Sequence, residues 1–420
     1  MGPQGIEEMV PLEDVQRVVL ASCLPLAPVE IGIDAALGHV LAADVHAPDD
    51  LPPFSNTAMD GYAVRSGDTS GVPVELEVIG VLAAGRATTR PLEPRTAYQI
   101  MTGAPMPPGA DGIAIVERTE PGPSESTVRI LDAVQPGAFV RPAGSDLKRG
   151  DLAISQGALL GPAHMSLLAS VGATTVTVHP KPRVGVLSTG DELAEAGAPL
   201  EPGQIRDSNR QGLLASLARD GFVGVDLGVR RDDESAISEA IRDGLERCDA
   251  LLTSGGVSMG EFDFVKVVLD KMVEGTGGGA SQFKVAIRPA KPLSFATVAS
   301  SGRSVPVFGL PGNPVSSMVS YQVVALPALR RLAGHRSPIP HRLPAVAVDD
   351  FERRPDGKLH LMRVVAAMGP DGRIVVRSAG AQGSHQLAAL VASNALALVP
   401  DGHGIASGGE VQIILTGSLE

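Results

Sequence analysis

The sequence predicts a multidomain chain of the α/β plus β class, and three observations carry that expectation. For about 150 residues after Lys181, short apolar β-branched runs alternate with amphipathic helical stretches. On either side, from Ala47 to Gly150 and from Pro338 onward, the chain breaks into short β-prone runs separated by Gly/Pro turns. Composition agrees: 49 Gly and 34 Pro in 420 residues suit many short elements joined by shaped loops, and 44% hydrophobic residues suffice for sizeable cores.

Taken in order, Val10, Val15, Val18, Val19 and Leu20 cluster on one face of an opening helix. Val74 to Val81 and Gly112 to Val116 are strands of a mostly β module. Leu159 to Gly172 is a helix, with Pro162 near its start and Gly172 past its end. Val184 to Leu187 is a strand, Ser208 to Arg219 a helix closed by Gly221, and Val223 to Val229 a strand. Ile237, Ile241 and Leu245 then repeat at helical spacing before strands at Ala250 to Thr253 and Val305 to Gly309. Such βαβ succession implies a parallel sheet covered by helices on both faces. Near the C-terminus, Asp356-Gly357 and Asp371-Gly372 are expected as hairpin turns of a small β domain or barrel.

The net charge of −12 argues against a nucleic-acid binder, which needs a basic surface to release phosphate counterions. With no Trp and three Tyr, aromatic stacking is not the main binding device. Cys23 and Cys248 lie far apart with no CxxC, which excludes a structural zinc site and suits a reducing compartment. No run reaches the roughly 18 apolar residues that span a bilayer; the stretch Val315 to Leu329 is interrupted by Ser316, Ser317, Ser320 and Gln322. A soluble, cytoplasmic protein with no membrane or nucleic-acid partner is expected.

Three strands of the α/β region run into unusual loops: Ser188-Thr189-Gly190-Asp191-Glu192, Ser254-Gly255-Gly256 through Glu261, and Leu310-Pro311-Gly312-Asn313-Pro314-Val315-Ser316. In an open parallel sheet the carboxyl ends of the strands form the ligand crevice, so these loops should lie side by side. Each alone could be only a tight turn. None carries a Walker A lysine or a GxGxxG, which disfavours kinases, P-loop ATPases and dinucleotide dehydrogenases. Asp191, Glu192, Glu261 and Asp263, joined by Asp207, Asp232 and Asp233, suggest Mg²⁺ bound together with substrate phosphates. The alternative is that these acids cap helices, and for Asp232 and Asp233 it is the better single explanation. Lys284, Arg288 and Lys291 sit on one proline-pinned stretch that suggests an oxyanion clamp, with a solvated surface strand as the alternative. Asp60-Gly61 and Gly144-Ser145-Asp146 are by themselves only turns.

Together these segments resemble the molybdopterin molybdenumtransferase family, whose eukaryotic counterpart is the gephyrin E domain. The matching residues are Asn56 to Ala63, Gly103 to Pro108, Gly144 to Asp146, Ser188 to Leu193, Asp207 to Asn209, Ser254 to Asp263, Lys284 to Pro292, Leu310 to Ser316 and Gln382-Gly383-Ser384-His385, nearly the whole chain in order. The resemblance implies an elongated subunit of four parts. These are a discontinuous linking domain (7–46 and 150–180), an inserted mostly β domain (47–149), a molybdopterin-binding α/β domain (181–334) and a C-terminal β barrel (335–420). It implies a homodimer in which Asp60 and Asp146 act across the subunit interface. It also implies transient contact with a molybdopterin adenylyltransferase and with molybdoenzyme maturation factors. The implied reaction is insertion of molybdate into the dithiolene of adenylated molybdopterin, with Mg²⁺-dependent release of AMP.

Carried over by position, Arg288, Lys291, Ser316, Arg363 and Ser384 are expected at the oxyanion. Asp60, Asp146, Glu192, Asp232 and Asp263 are expected as catalytic carboxylates, with Asp60, Glu192 and Asp263 on the metal. Thr189, Gly190, Asp191, Asp207, Asn209, Ser254, Gly255, Gly256, Pro311, Gly312 and Asn313 are expected around the pterin nucleotide. One departure stands out: the family commonly has Lys-Pro-Gly-Lys-Pro where this chain has Arg288-Pro289-Ala290-Lys291-Pro292. Two rivals remain in view. A molybdopterin adenylyltransferase-like enzyme would need neither Asn56 to Ala63 nor the C-terminal domain. A gephyrin-like non-enzymatic scaffold would not need the carboxylates and cations.

Overall fold

A computed structural model describes residues 9–256, 264–274 and 279–419. The chain divides into two compact units, one of residues 30–37 and 43–177, the other of residues 9–29, 38–42 and 178–419. The opening helix α1 (Leu12–Ala21) belongs to the second unit. Leu12, Val15 and Val19 are buried along one face and share a core with Leu326 and Leu329, and Gln16 Nε2 donates to the Val323 carbonyl at 2.7 Å. These residues, expected in a linking part, are thus drawn onto the α/β layer by their apolar stripe.

The first unit holds the β module. Strand β1 (Asn56–Thr57) is followed by β2 (Gly61–Val64), β3 (Val74–Leu82), β4 (Thr96–Ile100), β5 (Gly112–Ile115), β6 (Thr119–Pro121), β7 (Thr127–Ile130) and β8 (Val140–Arg141). Six of them form a sheet in the order β5-β2-β4-β3-β7-β6, and β1 pairs antiparallel with β8. Both sheet faces are covered, one around Ala63, Ile100 and Ile113, the other around Val64, Leu76 and Ile130. Helix α2 (Pro162–Ser170) starts at its proline, as expected.

In the second unit, β9 (Arg183–Thr189), α3 (Asn209–Arg219), β10 (Val223–Arg230), α4 (Glu234–Arg247) and β11 (Ala250–Ser254) follow the expected alternation. Ile237, Ile241 and Leu245 of α4 are fully or almost fully buried, each worth roughly 2 kcal/mol. After α5 (Phe264–Val273) come β12 (Gly279–Lys284), the short β13 (Ile287–Arg288), β14 (Pro292–Ser300) and β15 (Arg303–Leu310). The sheet order is β10-β9-β11-β15-β14-β12: the first four strands are parallel, β14 pairs antiparallel with β15, and β12 pairs antiparallel with β14. The expected parallel sheet therefore carries an antiparallel edge. Helix α6 (Pro314–Ser320) passes through a π-helical turn at Tyr321–Ala325 into α7 (Leu326–Leu332). Among the described residues no helix is long and apolar enough to cross a membrane.

The C-terminal part consists of β16 (Leu343–Ala347), β17 (Leu359–Met368), β18 (Ile374–Ser378), α8 (Leu387–Val391), β19 (Ala395–Val399) and β20 (Glu410–Leu415). The order β17-β18-β16-β20-β19 closes on itself through β17–β19 pairing, and β13 adds alongside β17. Val364, Ala366, Val376, Ala397 and Ile413 fill the barrel. Asp371-Gly372 is the expected hairpin turn, joining Met368 to Ile374. Asp356-Gly357 is not: the short strand before it pairs with Gly404–Ile405, and Asp356 instead accepts from the buried Arg353 at 2.7 Å.

Candidate active site

The three suspect loops do leave neighbouring strands. Ser188 of β9 is in register with Ser254 of β11, and Ser254 with Leu310 of β15. The Gly255 N–H donates to the Leu310 carbonyl at 3.2 Å. A Cβ on Gly255 would stand 2.3 Å from the Thr189 carbonyl, and its φ of +97° belongs to glycine, so this close approach admits no side chain. Asn209, at the start of α3, ties the loops together: its Nδ2 donates to Ser254 Oγ and to the Gly312 carbonyl, both at 2.7 Å. Among the described residues, Asn209 Oδ1 and Thr189 Oγ1 are buried without a hydrogen-bond partner. Unsatisfied buried polar atoms are costly, so a crevice lined by them is one built to be completed by something else. Pro311 is buried in this crevice wall, whereas Gly312 and Asn313 are exposed.

Asp207 differs from expectation. Its Oδ1 accepts from Ser188 Oγ at 3.0 Å and from the Arg210 N–H at 3.2 Å, and its Oδ2 pairs with Arg210 Nε at 2.9 Å. Both oxygens are engaged by protein donors, so Asp207, one residue before the N-cap Ser208, braces the first turn of α3 against β9. Arg210, to which no role was given, is the hub: it is 5% exposed and also reaches Asp226 and Glu195, each at 2.5 Å. Burial alone would lower its pKa, but the bonds to Asp226 and Asp207 outweigh that and raise it. The i, i+3 spacing of Asp207 and Arg210 at a helix start was the available signal.

At the edge of the crevice Gly190 is buried beneath the Glu192 carboxylate. The Asp232 N–H donates to Asp191 Oδ1 at 3.3 Å. Burial first, then the charges of Asp191 and Glu192, push the Asp232 carboxyl above its usual range. Asp233, in contrast, caps α4 by accepting from the Ala236 N–H at 2.8 Å. Asp263 and Glu261 lie outside the described residues. Among the described residues no three His, Cys, Asp or Glu side chains are gathered so that they could hold a metal ion.

The expected oxyanion residues separate into two places. Arg363 of β17 is fully buried; its Nη2 donates to the carbonyls of Ala381 at 2.9 Å and Gly383 at 3.2 Å, while Nε and Nη1 have no protein partner. Burial lowers its pKa from the ordinary arginine value. The Ser384 carbonyl accepts from the Val315 N–H at 3.1 Å, which brings the 379–384 loop against α6 and its buried Ser316. Arg288 pairs in register with His360, and the pleat sets His360 and Arg363 on opposite faces of β17. Arg288 is exposed, 4.0 Å from Asp356. Lys291 is exposed too, and its carbonyl accepts from the Val285 N–H at 2.7 Å, closing a tight loop. In that loop Ala290 takes φ +81° at 4% exposure, in place of the glycine common in the family.

In the other unit, Asp60 is exposed, and its Oδ1 accepts from the Thr102 N–H at 2.6 Å and the Thr102 hydroxyl at 2.8 Å. Those bonds, the backbone one first, hold its carboxyl below the usual range. The next residue must be glycine, because a Cβ there would fall 2.1 Å from the Ala114 carbonyl. The β1–β8 ladder, Thr57 opposite Val140, ties this turn to the segment carrying exposed Asp146, whose N–H donates to the Leu51 carbonyl at 3.0 Å.

A glycine-lined crevice at the ends of parallel strands, with a closed barrel in the same unit presenting a buried arginine that has no salt bridge among the described residues, defines a ligand-binding multidomain protein. Residues 10–172 match the "MoeA N-terminal region (domain I and II)", residues 185–331 the "Probable molybdopterin binding domain" and residues 345–416 the "MoeA C-terminal region (domain IV)". The chain is 38% identical over 410 residues to the molybdopterin molybdenumtransferase 2 of Mycobacterium tuberculosis, covering 96% of this chain and 98% of that one. It is 35% identical over 385 residues to the molybdopterin molybdenumtransferase of Haemophilus influenzae, covering 91% and 92%. A solved molybdopterin biosynthesis MoeA protein from Pyrococcus horikoshii superposes with a TM-score of 0.80 at 26% identity, over 97% of this chain and all of that one. The chain belongs to the MoeA family of molybdopterin molybdenumtransferases.

Proposed function

We propose that this protein inserts molybdate into the dithiolene of adenylated molybdopterin and releases AMP, in the cytoplasm and as a homodimer. The observation that carries this reading is Arg363: a fully buried guanidinium, in the same unit as the crevice, with two unpartnered nitrogens and no salt bridge among the described residues. Molybdate is a dianion that must approach sulfur ligands and a phosphoanhydride of its own sign. Each pair of like charges about 4 Å apart repels by roughly 1 kcal/mol in water and about 4 kcal/mol at an effective dielectric near 20. A dry guanidinium offering free N–H edges offsets that repulsion and selects a tetrahedral oxyanion over a neutral guest.

One or two of the crevice-edge acids, Asp191 and Asp232 above all, suit a hard divalent cation such as Mg²⁺: burial first and then repulsion from Asp191 and Glu192 raise Asp232, and a cation relieves the repulsion. Such a cation binds through one or two carboxylates together with substrate phosphates, so a closed protein cage is not required. Bound, it would supply charge neutralisation at the phosphoanhydride. The chain's own residues do the rest. Asn209, Thr189 and the Ser254–Gly256 turn orient the pterin nucleotide, and Arg288 and Lys291 add exposed positive charge on the stretch before β14. Asp60, kept ionised by Thr102, is an acceptor of protons or cations and not a donor. On the homodimer reading Asp60 and Asp146 serve the second subunit's cleft. The substrate's chemistry implies hand-over from a molybdopterin adenylyltransferase and delivery to molybdoenzyme maturation factors.

The test is incubation with adenylated molybdopterin, Mg²⁺ and molybdate while AMP release and retained molybdenum are followed together. One molybdenum retained per AMP released is expected. AMP release without retained metal would make the protein a hydrolase and overturn the proposal.

A further inference from the structure

We propose that Gln382 is a positioning residue for the oxyanion, whose neutral amide locks the main chain of Arg363 while leaving the guanidinium charge unspent. This rests on the reading that Arg363 faces the oxyanion. Strand β18 ends at Ser378, opposite Val364, so the peptide groups of Arg363 are the first on β17 to pass beyond the ladder. The Ala379 N–H still donates to the Arg363 carbonyl at 3.1 Å. The rest of the rung is completed by a side chain. Gln382 Oε1 accepts from the Arg363 N–H at 2.9 Å, and Gln382 Nε2 donates to the Arg363 carbonyl and to the Gly380 carbonyl, both at 3.0 Å.

The same loop holds the other end of the arginine. Nη2 donates to the carbonyls of Ala381 and Gly383, the residues on either side of Gln382. One six-residue loop, 379–384, therefore fixes Arg363 at its peptide and at its guanidinium. It does so with neutral groups, and Nε and Nη1 stay buried and unpartnered. Only an amide fits this role. It needs one acceptor and two donations at a single side-chain end, which a carboxylate cannot provide. A glutamate of the same length would keep the bond from the Arg363 N–H, lose both donations, and set a negative charge beside the guanidinium that an incoming dianion must also meet.

The two variants Gln382→Met and Gln382→Glu separate geometry from charge. Molybdate dependence of AMP release is measured with saturating adenylated molybdopterin, alongside half-saturation by adenylated molybdopterin and the thermal midpoint. We expect the molybdate half-saturation to rise about tenfold in Gln382→Met and a further tenfold or more in Gln382→Glu. Half-saturation by the nucleotide should stay within about twofold. A purely structural role predicts the reverse order, since glutamate keeps one of the three bonds and methionine none. Gln382→Glu matching or outperforming Gln382→Met would overturn the proposal, as would an equal loss of nucleotide and molybdate dependence in both. Arg363→Met is the control. If it leaves the molybdate titration unchanged, the oxyanion reading itself fails; if it shifts the titration and the Gln382 variants do not, only this inference fails.

Discussion

Within one folded unit, two sites are left incomplete in opposite senses. At the ends of β9, β11 and β15 the unpartnered atoms are Thr189 Oγ1 and Asn209 Oδ1, set among glycines and without a cation. At β17 they are Arg363 Nε and Nη1, set among carbonyls and with no salt bridge among the described residues. The crevice offers acceptors and closeness to a large planar guest; the barrel site offers positive charge to a small one. A reaction that joins a pterin nucleotide to an oxyanion needs both. On the proposed function, a parallel-sheet domain alone would hold the nucleotide but lack the means to attract the metal oxide.

The contrast can be broken from either side. Gly255→Ala should have the largest effect, because the new Cβ meets the Thr189 carbonyl at a φ that glycine alone adopts readily. A loss of about 2–4 kcal/mol of stability is expected, read by denaturant unfolding, with nucleotide binding impaired. Asp232→Asn should act more gently and with the opposite sign. The Asp232 carboxyl is raised in the fold, so its ionised form costs stability above that raised value; the cost shrinks as pH falls through it and is gone below the ordinary carboxylate value of the unfolded chain. The variant should therefore melt slightly above the metal-free parent at pH 7, with the gap closing in acid, and should lose the stabilisation that Mg²⁺ gives the parent. A variant that melts lower at pH 7, or still responds to Mg²⁺, would remove Asp232 from the cation reading. Ala290→Gly should do least. Relief of the positive φ, about 1 kcal/mol, is offset by a lost buried methyl and a more flexible unfolded chain, leaving a change within about 0.5 kcal/mol by thermal melting.

The α/β layer was legible because its parallel strands are short runs rich in Val and Leu and α4 carries a clean 3.6-residue stripe. The antiparallel edge was not. Strand β12 reads Gly-Ala-Ser-Gln-Phe-Lys, with no alternation, and β14 starts at the proline of the cationic stretch, so the sequence offers no period there. The crevice loops were legible from their glycines and from the rule for strand ends. Arg363 came only from resemblance: it is a single cation in an apolar run, and its burial depends on a loop sixteen residues further along the chain that no local pattern announces. Capping was the expectation for both Asp232 and Asp233, and only Asp233 caps; Asp232 lies against Asp191 instead, while Asp207 spends its oxygens on Ser188 and Arg210. Which carboxylate caps a helix is decided by backbone geometry within one turn, finer than composition can specify.

The most direct measurement is paired equilibrium dialysis of molybdate and adenylated molybdopterin against Arg363→Met and Asn209→Leu, each checked for an intact thermal transition. The predicted pattern is crossed: Arg363→Met weakens molybdate retention about tenfold or more and spares the nucleotide, while Asn209→Leu weakens the nucleotide and spares molybdate retention per bound nucleotide. Equal loss of both ligands in both variants would contradict a division of labour between crevice and barrel.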